Sequence, residues 1–402
     1  MEHAGQTRIV RAEDVAHMGI TEVLRHAPFI YSQYRKLVAS IKRDRPDIAI
    51  LIDFPDVNFR LAKHLHKLNI PVVWFVSPQL WAWKRSRLRW VQQRVDKMLV
   101  IFPFEEAFYR HRGVDAEFVG HPLAELPLPT STRESYAATH NLDPAKTWIA
   151  LLPGSRWKEI RANLPALHEL AMTDLITTHA SSIIFDGEHL NVPTTLNTRY
   201  EFLVPVASTI DRNRLQAYIT ELNAEALRYF TEELVVPTRF QTLPQPLLAA
   251  PTVRAPLTLV PDAREALHHA RASVVASGTA TVQAAVIGNP FIVVYRVSPL
   301  TFSLAKRLVS YPHEWKARPD SNGNLPISMV NLIARQRLVP ELLQSSFTAA
   351  NVASALAPIL TEGPERDRQI AGLARVRQSL QTPTNTPAIT RVADTVLALL
   401  SS

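Results

Sequence analysis

VVASGTATVQAAVIGNPFIVVYRV, residues 274–297, reads as a buried strand, a turn of small residues, a short helix and a second buried strand. A strand, a crossover helix and a further apolar strand in about two dozen residues make one half of a Rossmann-type crossover. Ser277, Gly278, Thr279 and Ala280 sit at the turn, where small side chains let the backbone approach a ligand closely. The helix that follows aims its first N–H groups and its dipole at an anion such as a pyrophosphate. The same spacing also fits an ordinary strand-to-helix turn, so the rest of the chain has to decide.

Outward from this crossover, apolar runs alternate with helical patterns, as a doubly wound α/β fold requires. Before it lie IAILIDF (48–54), VVWFV (72–76), KMLVIF (97–102), WIALLPGSR (148–156), YEFLVPVA (200–207) and LTLVPD (257–262). Between the first two, NFRLAKHLHKLNI places Phe59, Leu61, Ala62, Leu65 and Leu68 on one helical face. The proline-rich GHPLAELPLPTS (120–131) interrupts the alternation. The expected organisation is therefore a Rossmann-like unit over 1–125, a linker over 126–145, a second Rossmann-like unit over 146–365, and helices over 366–402. Residues 177–199 and 224–256 hold no clean period and read as loops or insertions.

The chain has 402 residues, room for two sizeable cores, and 47% of them are hydrophobic. Lys plus Arg number 44 against 36 for Asp plus Glu, a net charge of +8, which favours an anionic partner. The absence of cysteine excludes disulfides, thiolate metal sites and thiol nucleophiles. No apolar run is long enough to span a bilayer, and the first residues hold no apolar signal core, so a cytoplasmic protein is expected.

Four further places carry candidate chemistry. In LLPGSRWKEI, Ser155 and Arg156 follow a strand, where Arg156 is placed to meet a leaving phosphate; the alternative is a solvated arginine in a plain turn. In LIDFPDVNF, Asp53 and Asp56 stand at the C-terminal end of a buried strand, where a carboxylate can take a proton from an acceptor hydroxyl. Against that, Asp56 or Asn58 serves equally well as a helix cap. VSPQLWAWKRSRLRWV mixes Trp81, Trp83 and Trp90 with Lys84, Arg85, Arg87 and Arg89; helical spacing places Trp83 and Trp90 on one packing face, so no nucleic-acid partner is expected. His121 and His313 have no metal-ligand spacing, so neither a metal nor another cofactor is expected.

In this order, DFPDVNF, VSPQLWAWKRSR, FPFEEAFY, FVGHPL, LLPGSR, SGTATVQAA, VVYRVSPLTFSLAKRLV and MVNLIARQRLVPELLQ resemble the bacterial lipid-A-disaccharide synthases, from about Met18 to Gln344. The resemblance implies a two-domain glycosyltransferase B fold with the donor cleft between the domains. It also implies an inverting hexosyl transfer from UDP-2,3-diacylglucosamine to 2,3-diacylglucosamine 1-phosphate, giving a β-1,6-linked disaccharide and UDP at the cytoplasmic face of the inner membrane. Asp56 is then the candidate base, while Arg156 and the turn at Ser277 to Ala280 stabilise the departing UDP without a metal. Asn331 matches a family active-site position and Gln283 a uridine-binding one.

Three departures from that family stand out. Its N-terminal strand and glycine-rich turn have no counterpart among the roughly seventeen residues before Met18, which implies either a start upstream or an impaired chain. Gln283 replaces a usual glutamate, losing a charge but keeping one acceptor. Residues 335–337, RQR, replace a stretch that usually holds Gly and Arg.

GITEVLRHAPFIYSQYRKLV mixes Ile20, Val23, Leu24, Phe29 and Ile30 with cations, a pattern suited to an anionic membrane surface or to a core-facing helix. Two further functions stay open: another UDP-sugar enzyme of the same fold, such as a UDP-N-acetylglucosamine transferase or epimerase, and a catalytically impaired homologue. The sequence leaves the oligomeric state open.

Overall fold

The computed structural model describes residues 5, 7–10, 27–177, 180–185, 188–193, 199–233, 257–312, 315, 318–382, 384 and 386–401. The chain divides into two compact units. One comprises residues 1–122, 309–312 and 382–402, the other residues 123–308 and 313–381.

The first unit holds a four-stranded parallel sheet in the order β1-β2-β3-β4. Its strands are β1 (Ala49–Ile52), β2 (Val72–Phe75), β3 (Lys97–Val100) and β4 (Ala116–Phe118). Helices α1 (Ala27–Asp44), α2 (Pro55–Lys67), α3 (Leu88–Arg94) and α4 (Pro103–Arg110) belong to it. Apolar residues at helical spacing on α2 bury Phe59, Leu61, Ala62 and Leu65, which gives the helix its packing face. β2 is buried along its whole length, whereas edge strand β1 leaves Ile50 and Ile52 45% and 42% exposed.

The second unit carries a six-stranded parallel sheet in the order β12-β11-β10-β5-β8-β9. The strands are β5 (Thr147–Leu152), β8 (Tyr200–Pro205), β9 (Leu257–Val260), β10 (Ala272–Ala276), β11 (Phe291–Tyr295) and β12 (Glu341–Leu343). From β5 the chain winds outward through β8 to β9, then returns to the other side of β5 and winds outward through β10, β11 and β12. That is the Rossmann order, and its topological switch point lies between β5 and β10. Near-continuous Val, Ile, Leu and Ala runs are what a sheet covered on both faces demands, and β10 is buried at every residue. Ile160, Leu164 and Leu167 of α7 (Trp157–Thr177) join Leu151, Phe202, Val274, Ile292 and Phe347 in the core.

Several details differ from the sequence-based expectation. The stretch 126–145 contains helix α6 (Arg133–His140), with Tyr136 buried, and it counts with the second unit; short α5 (Pro122–Glu125) precedes it. Of the C-terminal helices, α14 (Pro364–Ser379) belongs to the second unit. By contrast α15 (Ala388–Ser401) belongs to the first, where Arg391 donates to Glu117 at 2.9 Å. Within 177–199 the described residues pair as an antiparallel hairpin, β6 (Ala180–Phe185) with β7 (Glu188–Pro193). Helix α8 (Arg212–Glu233) runs into the second aperiodic stretch, and 234–256 lie outside the described residues.

The basic tryptophan segment also differs. Trp83 sits in a turn and the helix begins only at Leu88, so Trp83 and Trp90 share no helical face. The turn is fixed by buried Glu105, which accepts from Ser77 Oγ at 2.8 Å and Trp81 Nε1 at 3.0 Å.

Candidate active site

Both strands flanking the switch point end in glycine turns. Gly154 follows β5 with φ 134°, and Gly278 follows β10 with φ 149°. These values lie in a region that side-chain-bearing residues rarely adopt, which explains glycine at each. The two turns meet different fates. Glu159, in the first turn of α7, accepts from the backbone N–H of Ser155 at 3.0 Å and of Arg156 at 3.2 Å. This is half of a capping box, and it fills the anion position at that helix start with the chain's own carboxylate. Helix α10 (Thr279–Ile287) has no side-chain cap, and a Cβ built on Gly278 would meet nothing within 4 Å. The N–H groups beginning at Thr279 and Ala280 are therefore the ones that a phosphate can use.

Around this edge, Ser277 is half-buried and donates its N–H to the Val294 carbonyl at 3.0 Å, tying the turn to β11. Gln283 is half-buried on α10, while Thr281 Oγ1 donates to the Gly278 carbonyl at 2.8 Å and locks the helix start. Ser155 is held from the other side, its carbonyl accepting from Thr209 Oγ1 at 2.5 Å. Arg156 keeps 81% of its side chain exposed and touches Glu159 at 3.3 Å. Tyr295, at the end of β11, has its pKa raised by burial and by Glu159, with Arg156 opposing, so all three share one electrostatic neighbourhood.

Asn331 lies on α12 (Met329–Ala334) and lines a cavity of about 990 Å³ together with Arg318, Arg335 and Arg337. Its amide is already engaged. Nδ2 donates to the Val339 carbonyl at 2.9 Å and to Glu341 Oε1 at 2.8 Å, and Oδ1 accepts the Val339 N–H at 3.0 Å. This geometry makes Asn331 a clamp between α12 and β12. The RQR departure has a visible consequence, because Arg335 adopts φ 52°, a left-handed helix end suited to glycine.

In the first unit, strain gathers at the C-terminal edge of the sheet. Asp53, Phe54 and Val76 have φ of 43°, 44° and 64°, and a left-handed β-branched residue is a genuine outlier. Neither Asp56 nor Asn58 caps α2. Asn58 Nδ2 instead donates back to the carbonyls of Ile52 at 3.1 Å and Asp53 at 2.6 Å, which braces the strained turn. Asp56 pairs with Arg87 at 2.7 Å, and this hydrogen bond holds its carboxyl below the usual carboxylate range. Asp53 has no side-chain hydrogen bond or ion pair among the described residues. Of the membrane-facing candidates, Phe29 is 43% exposed on α1 and Ile30 half-buried, while Ile20, Val23 and Leu24 lie outside the described residues.

Sequence reasoning missed Glu159, although its place three residues after the Arg156 cap position is a capping signature. It also missed Glu105, whose pKa burial pushes up to about 7. Its place three residues after the Phe102 cap position, where its carboxylate accepts the Phe102 N–H at 3.2 Å, is a local capping signal, but its hold on Ser77 and Trp81, 28 and 24 residues away, has no local sign. Among the described residues, no three acidic or histidine side chains gather to hold a metal ion, and no helix is long and apolar enough to cross a membrane.

Comparison with known proteins agrees with this geometry. The family model described as lipid-A-disaccharide synthetase matches residues 1–220 and 234–388. A lipid-A-disaccharide synthase from Acidobacterium capsulatum is 49% identical over 395 residues, covering 98% of this chain and 85% of the relative. One from Koribacter versatilis is 42% identical over 400 residues, covering 99% and 88%. Among solved structures, the UDP-GlcNAc 2-epimerase from Neisseria meningitidis bound to UDP-GlcNAc aligns with a TM-score of 0.52 at 10% identity, over 97% of this chain and 84% of that one, a likeness of fold. With its two parallel α/β units and a match along nearly its whole length, the chain belongs to the lipid-A-disaccharide synthase family.

Proposed function

We propose that the protein transfers 2,3-diacylglucosamine from UDP to the 6-hydroxyl of 2,3-diacylglucosamine 1-phosphate, releasing UDP and inverting the anomeric centre. The observation that carries this reading is the uncapped glycine turn of α10 at the switch point of a six-stranded Rossmann sheet. In the reaction the acceptor oxygen bonds to the donor's anomeric carbon as the bond from that carbon to the diphosphate breaks. The electron pair leaves with UDP, and the hydroxyl proton passes to a carboxylate. A single in-line displacement inverts configuration.

The second unit supplies the groups for the leaving diphosphate. The N–H groups of Thr279 and Ala280 and the α10 dipole face it, with Ser155, Ser277 and the exposed Arg156 guanidinium, which exchanges Glu159 for the phosphate, completing an anion-stabilising edge. Gln283 contacts the uridine ribose as a neutral hydrogen-bonding group. Asn331 acts by positioning the β12 end of the unit.

The first unit supplies the base. Asp56 is the candidate from sequence, and Arg87 keeps it ionised at neutral pH, the form a base needs, at some loss of basicity. Asp53 is the rival, because its carboxylate is unengaged among the described residues and its backbone is strained. Helix α1 meets the anionic membrane surface through Phe29 and Ile30, which makes the protein peripheral.

The test is UDP release from UDP-2,3-diacylglucosamine with and without 2,3-diacylglucosamine 1-phosphate, with the product's anomeric configuration read by NMR. Acceptor-dependent release with a β-linked product is expected. Release that ignores the acceptor, or a preference for a non-acylated UDP-N-acetylglucosamine donor, would refute the assignment.

A further inference from the structure

Helices α1, α2 and α3 of the first unit enclose a cavity of about 410 Å³ whose wall is unusually cationic. Arg60, Lys63, Arg87 and Arg94 all line it, and among the described residues Asp56 is the one carboxylate that does. His64 adds no charge near neutrality, because burial lowers its pKa and Lys42, Lys67 and Lys63 lower it further. Two of the cations are held in place. Arg87 stacks over Phe59 at 5.7 Å and Trp90 at 5.6 Å while pairing with Asp56. Arg94 stacks over Trp90 at 5.3 Å and donates to the Phe59 carbonyl at 3.2 Å. Arg60 and Lys63, one turn apart on α2, have no hydrogen-bond or ion-pair partner among the described residues.

Four cations facing one carboxylate repel one another, and the repulsion is relieved by a ligand that carries at least two negative charges. Guanidinium forks match the oxygens of a phosphate, and the Phe59 and Trp90 rings hold two of those forks in place. Tyr34, also lining the cavity, lies on α1 one turn from Tyr31 and Ile30, and Tyr31 is 60% exposed. The cationic cavity thus borders a helix that presents aromatic surface to solvent, as a site for a phosphate attached to acyl chains would.

We propose that this cavity binds a lipid-borne phosphate, with Arg60, Lys63 and Arg87 as its anion ligands. Resting on the function proposed above, the source is the 1-phosphate of the acceptor, and the site selects phosphorylated over dephosphorylated acceptor. A bilayer headgroup phosphate is the other source of the same chemistry.

The test compares wild type, the double variant Arg60→Gln/Lys63→Gln, and Lys67→Gln, which changes a charge on α2 outside the cavity lining. Three readouts are taken: calorimetric titration with glucosamine 1-phosphate, the ratio of kcat/KM for 2,3-diacylglucosamine 1-phosphate to that for 2,3-diacylglucosamine, and cosedimentation with phosphatidylglycerol vesicles. The double variant should lose roughly tenfold or more in glucosamine 1-phosphate affinity and in the kcat/KM ratio, while its vesicle binding follows that of Lys67→Gln. A loss confined to vesicle binding would keep the phosphate site but reassign its source to the bilayer. All three readouts matching Lys67→Gln would overturn the proposal. If wild type releases no UDP with either acceptor, the transferase reading fails by itself, and calorimetry and vesicle binding still decide the cavity.

Discussion

The two units turn from strand to helix in opposite ways. After β5 and β10 the second unit uses glycines, Gly154 and Gly278, at positive φ. After β1 the first unit forces Asp53 and Phe54 into left-handed conformations, and after β2 it does the same to Val76. At Gly278 the turn leaves the first N–H groups of α10 uncapped, which suits a diphosphate, whereas after Gly154 the N–H groups of Ser155 and Arg156 are already taken by Glu159. A turn that keeps its side chains despite the strain presents carboxylate and aromatic groups at the sheet edge, which suits proton transfer and contact with a lipid. On the function proposed above, the difference is a division of labour: the α10 turn meets the diphosphate with its main chain, and the first unit works through side chains.

The sharpest way to break this comparison is to remove the carboxylates of the strained turn. Asp53→Asn and Asp56→Asn should separate, the true base losing about 10²- to 10⁴-fold in kcat and the other much less. UDP affinity should be unchanged in both, because the proposed UDP site lies in the other unit. It is read by calorimetry beside the turnover assay. Full turnover in both variants would remove the base from this turn altogether.

Next in size is a pH effect at the loop that follows strained Val76. Glu105 holds that loop through Ser77 and Trp81, and burial raises its pKa from 4.5 to about 7. The folded state therefore binds the proton more tightly than the unfolded chain. Glu105's contribution to stability is full below about pH 4.5 and is lost as pH rises to about 7, a change of order 3 kcal/mol. Thermal unfolding of wild type should show this decline between those pH values, and Glu105→Gln should lack it. Parallel pH profiles for the two proteins would contradict the assignment.

The glycine turns give a smaller effect and a direct contrast. A Cβ on Gly154 would sit 2.5 Å from Glu159 Cβ, on a backbone that already disfavours side chains. Gly154→Ala should cost about 1–3 kcal/mol of stability as well as UDP affinity. At Gly278 the added methyl finds open space, so Gly278→Ala carries the backbone strain without the clash. It should unfold less readily than Gly154→Ala while losing as much UDP affinity or more. Equal affinity to wild type would show that the diphosphate does not approach the α10 turn.

Much of this was legible in sequence, and what escaped follows a pattern. The strands of both sheets, apart from the three-residue β4 and β12, stood out because a parallel sheet covered on both faces demands uninterrupted apolar runs. The α10 turn stood out as small residues between two such runs, though that pattern alone fits an ordinary strand-to-helix turn equally well. The Arg87 pairing of Asp56, the Glu105 anchor and the spent amide of Asn331 did not, since each is a contact between segments that only folding brings together. The tryptophan segment misled for a related reason. Its spacing fits a helix, but a buried glutamate from another helix holds Trp81 and its neighbours as a turn.

Arg335 tests whether the second unit's preference for glycine at positive φ extends to places without chemistry to gain. It ends α12 at φ 52° with its backbone N–H bonded to the Leu332 carbonyl, and among the described residues no hydrogen bond from its side chain offsets the strain. Arg335→Gly relieves the left-handed penalty of roughly 1 kcal/mol but gives the unfolded chain more freedom, worth about 0.4–1 kcal/mol in the opposite direction. The net gain should be no more than about 0.5 kcal/mol, read as a small rise in the urea midpoint at unchanged slope. Activity supplies the second reading, because Arg335 lines the cavity beside Asn331. A variant that is slightly more stable and equally active marks Arg335 as a tolerated replacement of glycine. One that is more stable but several-fold weaker for UDP would mean that the second unit, too, keeps a strained side chain where it meets ligand.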